Sequence, residues 1–172
     1  MWELFKEIKD EEDKQIKISN GIDDNCNGEI DENCVLPAEI GDIREGGVVF
    51  WVDSTGLHGL ICAMSDYVST KQWGCYDADL PNVPNVPWNG ASTVGLGAEI
   101  GDGESNTANM LIDCPTSPTA LAARSLGLEW FLPSILELNE MYSNRATLEA
   151  VAGFNAFVSI GGINNTKYWS ST

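Results

Sequence analysis

The chain has 172 residues, 43% of them hydrophobic and 9% aromatic, which suits one ordinary domain with a buried core. Its 26 acidic and 9 basic residues give a formal net charge of −17. That field repels nucleic acid, anionic membranes and sulfated polymers and favours cations, and the absence of any run of about 18 apolar residues excludes a membrane-spanning helix of the usual kind.

The acid is concentrated at the start. Residues 1–35 hold 11 Asp/Glu against 4 Lys/Arg, whereas the remaining 137 hold 15 against 5. The opening MWELFKEIKDEEDKQ has no apolar core of the kind a signal peptide needs. Trp2, Phe5 and Ile8 recur at helical spacing, so residues 1–19 are expected to form a short charged helix or a solvated, flexible arm.

Residues 20–34 read NGIDDNCNGEIDENC. With Asp23 as position 1, Asn25 is position 3, Asn27 position 5, Gly28 position 6, Glu29 position 7 and Asp31 position 9. This is the D-x-[DN]-x-[DN]-G opening of a calcium loop. Ca²⁺ takes about six to eight hard oxygen ligands, which alternate side chains can bring together around it. Gly28 permits the sharp turn, Glu29 offers its backbone carbonyl, and Ile30 anchors the loop to apolar neighbours. Position 12, where an EF-hand places a bidentate Glu, is Cys34; Glu32 is near enough to take that role. The expected metal ligands are therefore Asp23, Asn25, Asn27, Glu29, Asp31 and Glu32. Cys26 and Cys34 lie eight apart in the same loop, and a disulfide between them would clamp it where an EF-hand uses flanking helices. A plain acidic linker is the competing reading, but a linker does not need Gly and Cys at these spacings.

VLPAE, residues 35–39, reads as a linker because Pro37 interrupts any regular element. The character changes from Ile40. GGVVFWVD (46–53) and GLICAM (59–64) are apolar, β-branched and aromatic, and they flank the turn-like STGLHG, which predicts a β-hairpin. KQWGCY (71–76) is a third strand candidate. Residues 79–105 are rich in Pro, Gly and Asn and are expected to form a long irregular loop. Helices follow. SNTANMLIDC is expected to start at a cap near Ser105. SPTALAARSLG has Ser117 as N-cap, Pro118 at the first position and Gly127 as the stop. SILELNEMYSNR opens with Ser134 and Glu137 as a capping box, and Ile135, Leu138, Met141 and Tyr142 form one buried stripe. ATLEAVAGF predicts a further turn or two of helix, and KYWSST (167–172) alternates like a strand. Strands, long loop, helices and strand in that order predict an α+β fold with an antiparallel sheet.

The five cysteines include no C-x-x-C pair, which argues against thiolate zinc and thioredoxin-like chemistry. With few lysines and many Asn, Gly, Ser and Thr, they suit a disulfide-forming, exported protein. His58 is the only histidine and sits in a turn, GLHG, so triad hydrolysis would rest on one residue. GLGAEIGDG follows a loop and not a strand, unlike a nucleotide-binding glycine run. VPWNG is similar to the Trp-Asn of calcium lectins, but the accompanying Asp and Glu-Pro-Asn are absent. Trp73, Trp88, Trp130 and Trp169 are expected as core or loop anchors, with Trp88 the most exposed. None of this predicts an enzyme.

The acidic loop resembles the Cys-containing metal-binding motif of secreted bacterial proteins and the thrombospondin type 3 calcium repeats. From Ile40 to Thr172, the segments IGDIREGGVVFWVD, HGLICAMSD, WGCY, GDGESNTANML, WFLPSILELNEMY and YWSST together resemble the Lcl-type C-terminal domain of bacterial collagen-like adhesins. WFLPS…EL followed by YWSST is the most specific part. The resemblance implies a C-type-lectin-like domain of short antiparallel strands and two to four short helices, over residues 36–172, preceded by the acidic motif at 20–35. It implies an extracellular or cell-surface adhesion module stabilised by Ca²⁺, with a glycan or protein ligand; a structural repeat or filament component that packs as a homo-oligomer is the alternative. Family members continue past YWSST with further strands, so the domain is expected to be incomplete at its C-terminus. The sulfated-glycosaminoglycan ligand of the founding domain does not suit a charge of −17. The family often carries another Cys before WFLPS, absent here, which leaves Cys75–Cys114 as the expected disulfide and Cys62, in an apolar strand, as a buried thiol.

Overall fold

The structure is a computed structural model that describes residues 5–8, 37–67, 71–84, 96–157 and 168–172. It is a mixed α+β fold. Its strands are β1 (Phe5–Ile8), β2 (Ile43–Arg44), β3 (Gly47–Val52) and β4 (Gly59–Ala63); its helices are α1 (Asp102–Asp113), α2 (Pro118–Arg124), α3 (Ile135–Ser143) and α4 (Arg145–Glu149). The strands form one antiparallel sheet in the order β1-β4-β3-β2.

The sheet grows from two hairpins. Glu45 (φ 47°) and Gly46 (φ 87°) both take positive φ between β2 and β3. That is the two-residue turn whose twist matches the flanking strands, and it calls for a glycine. β3 and β4 are the predicted apolar hairpin, with Val48 opposite Cys62 and Val49 opposite Ile61. The pairing then slips by one residue between Val49 and Trp51. Phe50 is the extra residue of a bulge, and the bulge sends both Phe50 and Trp51 to one side of the sheet.

Side-chain alternation divides the core into two layers. Val49, Ile61 and Ala63 face Met110 of α1 and Ala120 and Ala123 of α2. Val48, Phe50, Leu60 and Cys62 face Met141 of α3 and Leu148 of α4. The sheet thus carries helices on both faces, which explains why β3 and β4 read as continuous apolar runs and not as alternating ones. Burying each large side chain here contributes about 1.5–3 kcal/mol before entropy is set against it.

The helix starts follow local chemistry in two cases. Ser117 Oγ accepts from Ala120 N at 3.5 Å, with Pro118 at the first position of α2. At α3 the capping box is complete: Ser134 Oγ accepts from Glu137 N at 3.2 Å, and the Glu137 carboxyl accepts from Ser134 N at 2.7 Å.

Five expectations are corrected. The helical spacing of Phe5 and Ile8 gives way to a strand, because the outer edge of β4 offers unpaired N–H and C=O groups that β1 satisfies, Phe5 opposite Cys62 and Ile8 opposite Gly59. KQWGCY forms turns and bends and no strand. Helix α1 starts at Asp102, ahead of Ser105, and has no side-chain cap from its own N-cap residue, Gly101. Tyr168–Thr172 is an extended segment outside the sheet; it is held by Ser171 N donating to Pro133 O at 2.6 Å and by Trp73 Nε1 donating to Ser170 O at 2.6 Å. On α3 the buried positions are Glu137 and Met141, whereas Tyr142 is 65% exposed and Ile135 and Leu138 are half-buried.

Candidate functional site

The corrected stripe on α3 borders a cleft of about 230 Å³. Its lining is apolar at Ile135, Leu138 and Met141, aromatic at Tyr142, Phe157 and Tyr168, and carries one amide, Asn139. The residues come from three places in the chain, and each is fixed by a different device.

The capping box sets where α3 begins, and hence which side of the helix carries residues 135, 138, 139 and 142. With Glu137 and Met141 turned into the core, those four positions are left on the outer side. Phe157 lies beyond α4 in a segment docked on the end of β4: Ser65 and Asn155 form an isolated parallel bridge, and Asn155 N donates to Met64 O at 2.7 Å. Phe157 has φ 60°. A left-handed backbone costs a bulky residue about 1–2 kcal/mol and is sustained only where surroundings over-determine it. Here they do: its ring packs against Phe154 at 5.7 Å and stands edge-on to Tyr168 at 5.9 Å with an 80° interplanar angle. Tyr168 is held at its other end, where its hydroxyl lies 3.3 and 3.4 Å from the two oxygens of Asp66. The stitching of Ser170 and Ser171 to Trp73, Pro133 and Asn106 then fixes the segment behind it.

Asp66 also belongs to a second cleft, of about 470 Å³, between the β2–β3 turn and the end of β4, with Glu45, Met64, Tyr67 and Trp130 among its lining. Lys71 lies over the Tyr67 ring at 5.5 Å. The Asp66–Tyr168 pair therefore sits between two clefts of different character, one aromatic and apolar, the other mixed. On the α3 side Arg145 stacks over Tyr142 at 5.6 Å and pairs with Glu149 at 3.2 Å. That holds the Tyr142 ring on the rim with its hydroxyl end available, the amphipathic presentation common in binding surfaces.

Of the residues singled out from sequence, Asp23, Asn25, Asn27, Glu29, Asp31, Glu32, Cys26 and Cys34 all lie outside the described residues, as does Trp88. Among the described residues no group of three or more His, Cys, Asp or Glu gathers as a metal site would. Cys75 and Cys114 are joined in a disulfide with Cα atoms 6.0 Å apart, tying the 71–84 segment to the end of α1. Cys62 is a fully buried thiol whose Sγ donates to Val48 O at 3.5 Å. His58 is exposed in the β3–β4 turn, where its carbonyl accepts from Asp53 N at 2.9 Å. Thr55 donates to Asp53 in the same turn, and these bonds hold the Asp53 carboxyl below its ordinary value. Trp130 is buried and Trp73 half-buried, whereas Trp169 is 49% exposed.

Sequence reasoning did not find Asp66, Asn139, Phe157 or Tyr168 as site residues. Their one available signal was the α3 stripe itself: a helix with both Glu137 and the Ile135–Leu138–Tyr142 set on it cannot bury both sides against one sheet. Comparison with protein-family models, with curated proteins and with solved structures produced no match to this chain.

Proposed function

We propose that this chain is a binding module of the extracellular space or cell surface, C-type-lectin-like in architecture, that captures a glycan or protein ligand at the α3 cleft and does no chemistry on it. The observation that carries this reading is the cleft: three aromatic rings and three aliphatic side chains around an opening, with an amide at Asn139 and the Tyr142 hydroxyl at hand for orientation. The Cys75–Cys114 disulfide supports an oxidising compartment. The charge of −17 favours cationic or neutral ligands over polyanions.

The acidic loop adds Ca²⁺ to this proposal. Its donor set is all hard oxygen, from Asp23, Asn25, Asn27, Glu29, Asp31 and Glu32, which suits Ca²⁺ and not a soft metal. Bound there, the ion would supply cross-linking charge that stiffens the chain ahead of the domain. Calorimetric titration with CaCl₂ is expected to show binding, and EGTA is expected to lower Tm; no heat and an unchanged Tm would overturn the calcium part alone. The ligand part is tested by screening wild type and Tyr142→Ala on glycan and peptide arrays. Binders of wild type that Tyr142→Ala loses support the cleft. Arrays with no binder, or binders indifferent to the substitution, overturn it.

A second reading, a structural component that packs on copies of itself, is favoured by Leu96 and Leu128, which are 89% and 83% exposed. Sedimentation showing concentration-dependent assembly that Leu128→Ser abolishes would support it.

A further inference from the structure

We propose that the Glu137 carboxyl is a pH-sensitive clasp that holds the first turn of α1 against the start of α3. Glu137 is the one buried side chain of the Asp, Glu, Lys, Arg or His kind among the described residues, with 0% of its surface exposed. One oxygen, Oε2, closes its own capping box by accepting from Ser134 N at 2.7 Å. The other, Oε1, reaches across to α1 and accepts from Gly101 N at 2.8 Å and Gly103 N at 3.5 Å. Helix α1 takes no side-chain cap from its own N-cap residue, Gly101, which is left-handed at φ 97°. Two of its orphan N–H groups, those of Gly101 and Gly103, are met by a carboxyl 36 and 34 residues away in sequence.

Two further bonds run parallel to the clasp. Ser134 Oγ donates to Glu99 O at 2.7 Å, and Leu136 N donates to Ala98 O at 3.1 Å. Glu137 is the only ionisable partner in this set. Gly103 makes the approach possible: a Cβ there would lie 2.7 Å from Leu132 O and would overlap Glu137 Oε2.

The balance of forces on it is unusual. The three N–H groups favour the charged form, while burial and Asp102 disfavour it. Asp102 is the charged neighbour contributed by α1, and Glu99 lies on the same turn. The segment ahead of α3 contributes the apolar Phe131 ring and the Leu132 carbonyl, both beside Gly103. Burial is the largest influence, and it pushes the Glu137 carboxyl up from 4.5 to about 7. Above that value both oxygens accept. Below it one oxygen becomes a donor facing an N–H, so at least one of the bonds to the backbone lengthens and the α1 turn loosens against α3.

The test follows the amides of Gly101 and Gly103 by ¹⁵N NMR and hydrogen exchange in the full chain, from about pH 5 to about pH 9, beside the ¹³C carboxyl signals of glutamate. The expected result is one transition centred near pH 7 in both amides and in a single carboxyl signal, with the carboxyl signal and both amide transitions absent from Glu137→Gln. Amides that do not move across this range, or a transition that persists in Glu137→Gln, would overturn the proposal. Should Glu137→Gln fail to fold, wild type alone decides: glutamate carboxyls that all titrate at ordinary values sink the idea, and one titrating near pH 7 together with the Gly101 amide upholds it.

Discussion

The two faces of the sheet are finished in different ways. On the α1/α2 face, Ala120 and Ala123 of α2 close on Val49 and Ile61 together with Met110, Leu132 and Trp130. The 71–84 segment is then tied over its edge by the Cys75–Cys114 disulfide, by Asn82 N donating to Asp113 at 2.8 Å, and by Ser117 and Thr119 donating to Trp73 O. On the α3/α4 face, large side chains fill the interior, Phe50, Phe131, Met141 and Leu148, and the outer side of α3 is left as an aromatic cleft. One face is locked by covalent and polar ties. The other keeps apolar surface near solvent and fixes its rings by stacking. Sites that bind need surface of the second kind, held by a scaffold of the first.

The contrast can be broken most severely from inside the α3/α4 face. Phe50 is fully buried at the bulge. Phe50→Ala is expected to cost about 3–5 kcal/mol in urea unfolding, because a cavity is left where two strands and two helices converge. A cost under about 1 kcal/mol would mean the layer can collapse around it. On the opposite face, the Cys75→Ala/Cys114→Ala double variant opens a 39-residue loop and is expected to cost about 2–4 kcal/mol by freeing the unfolded chain. Its effect on the ligand capture proposed for the α3 cleft is expected to be small, which is the sharper half of that prediction.

Next in size is the response to pH through Glu137. Its carboxyl is raised from 4.5 to about 7 in the fold. Between these values the folded state keeps a proton that the unfolded chain has released. Protonation therefore favours the fold as a whole: that contribution is complete below about 4.5 and is lost as pH rises through about 7, where the backbone bonds to the carboxylate are all made but burying its charge costs more than they return. The span is about 3 kcal/mol at most, read as the difference in pH dependence between wild type and Glu137→Gln in chemical denaturation. An identical pH slope in the two proteins would refute it. The smallest expected effect is that of Tyr142→Ala on stability, within about 0.5 kcal/mol because the ring is on the surface. Paired with loss of binding, that near-neutral value would separate the cleft from the core.

Much of the scaffold could be read locally. The β3–β4 hairpin, the Ser117–Pro118 start of α2 and the Ser134–Glu137 capping box each depend on residues close in sequence, and each is present. Phe5–Ile8 shows the opposite case: four residues with helical spacing become a strand because β4 has an open edge. The start of α1 could not be read from its own residues, since two of its N–H groups, those of Gly101 and Gly103, are met by Glu137. The aromatic cleft was hidden for a related reason. Periodicity says that α3 has an apolar stripe but not which neighbours will cover it, and Phe157 and Tyr168 reach it only through contacts with Asp66, Phe154 and the Trp73–Ser170 bond.

By itself, then, the amino-acid order determined the α+β class, the central hairpin and two of the helix starts, because these rest on φ/ψ preferences and capping that act within a few residues. Only the tertiary structure decided that β1 is an edge strand, that Glu137 caps a second helix as well as its own, and that the outer side of α3 stays open. Those outcomes depend on which surfaces the sheet has left to offer once its two faces are covered, and no local pattern carries that information.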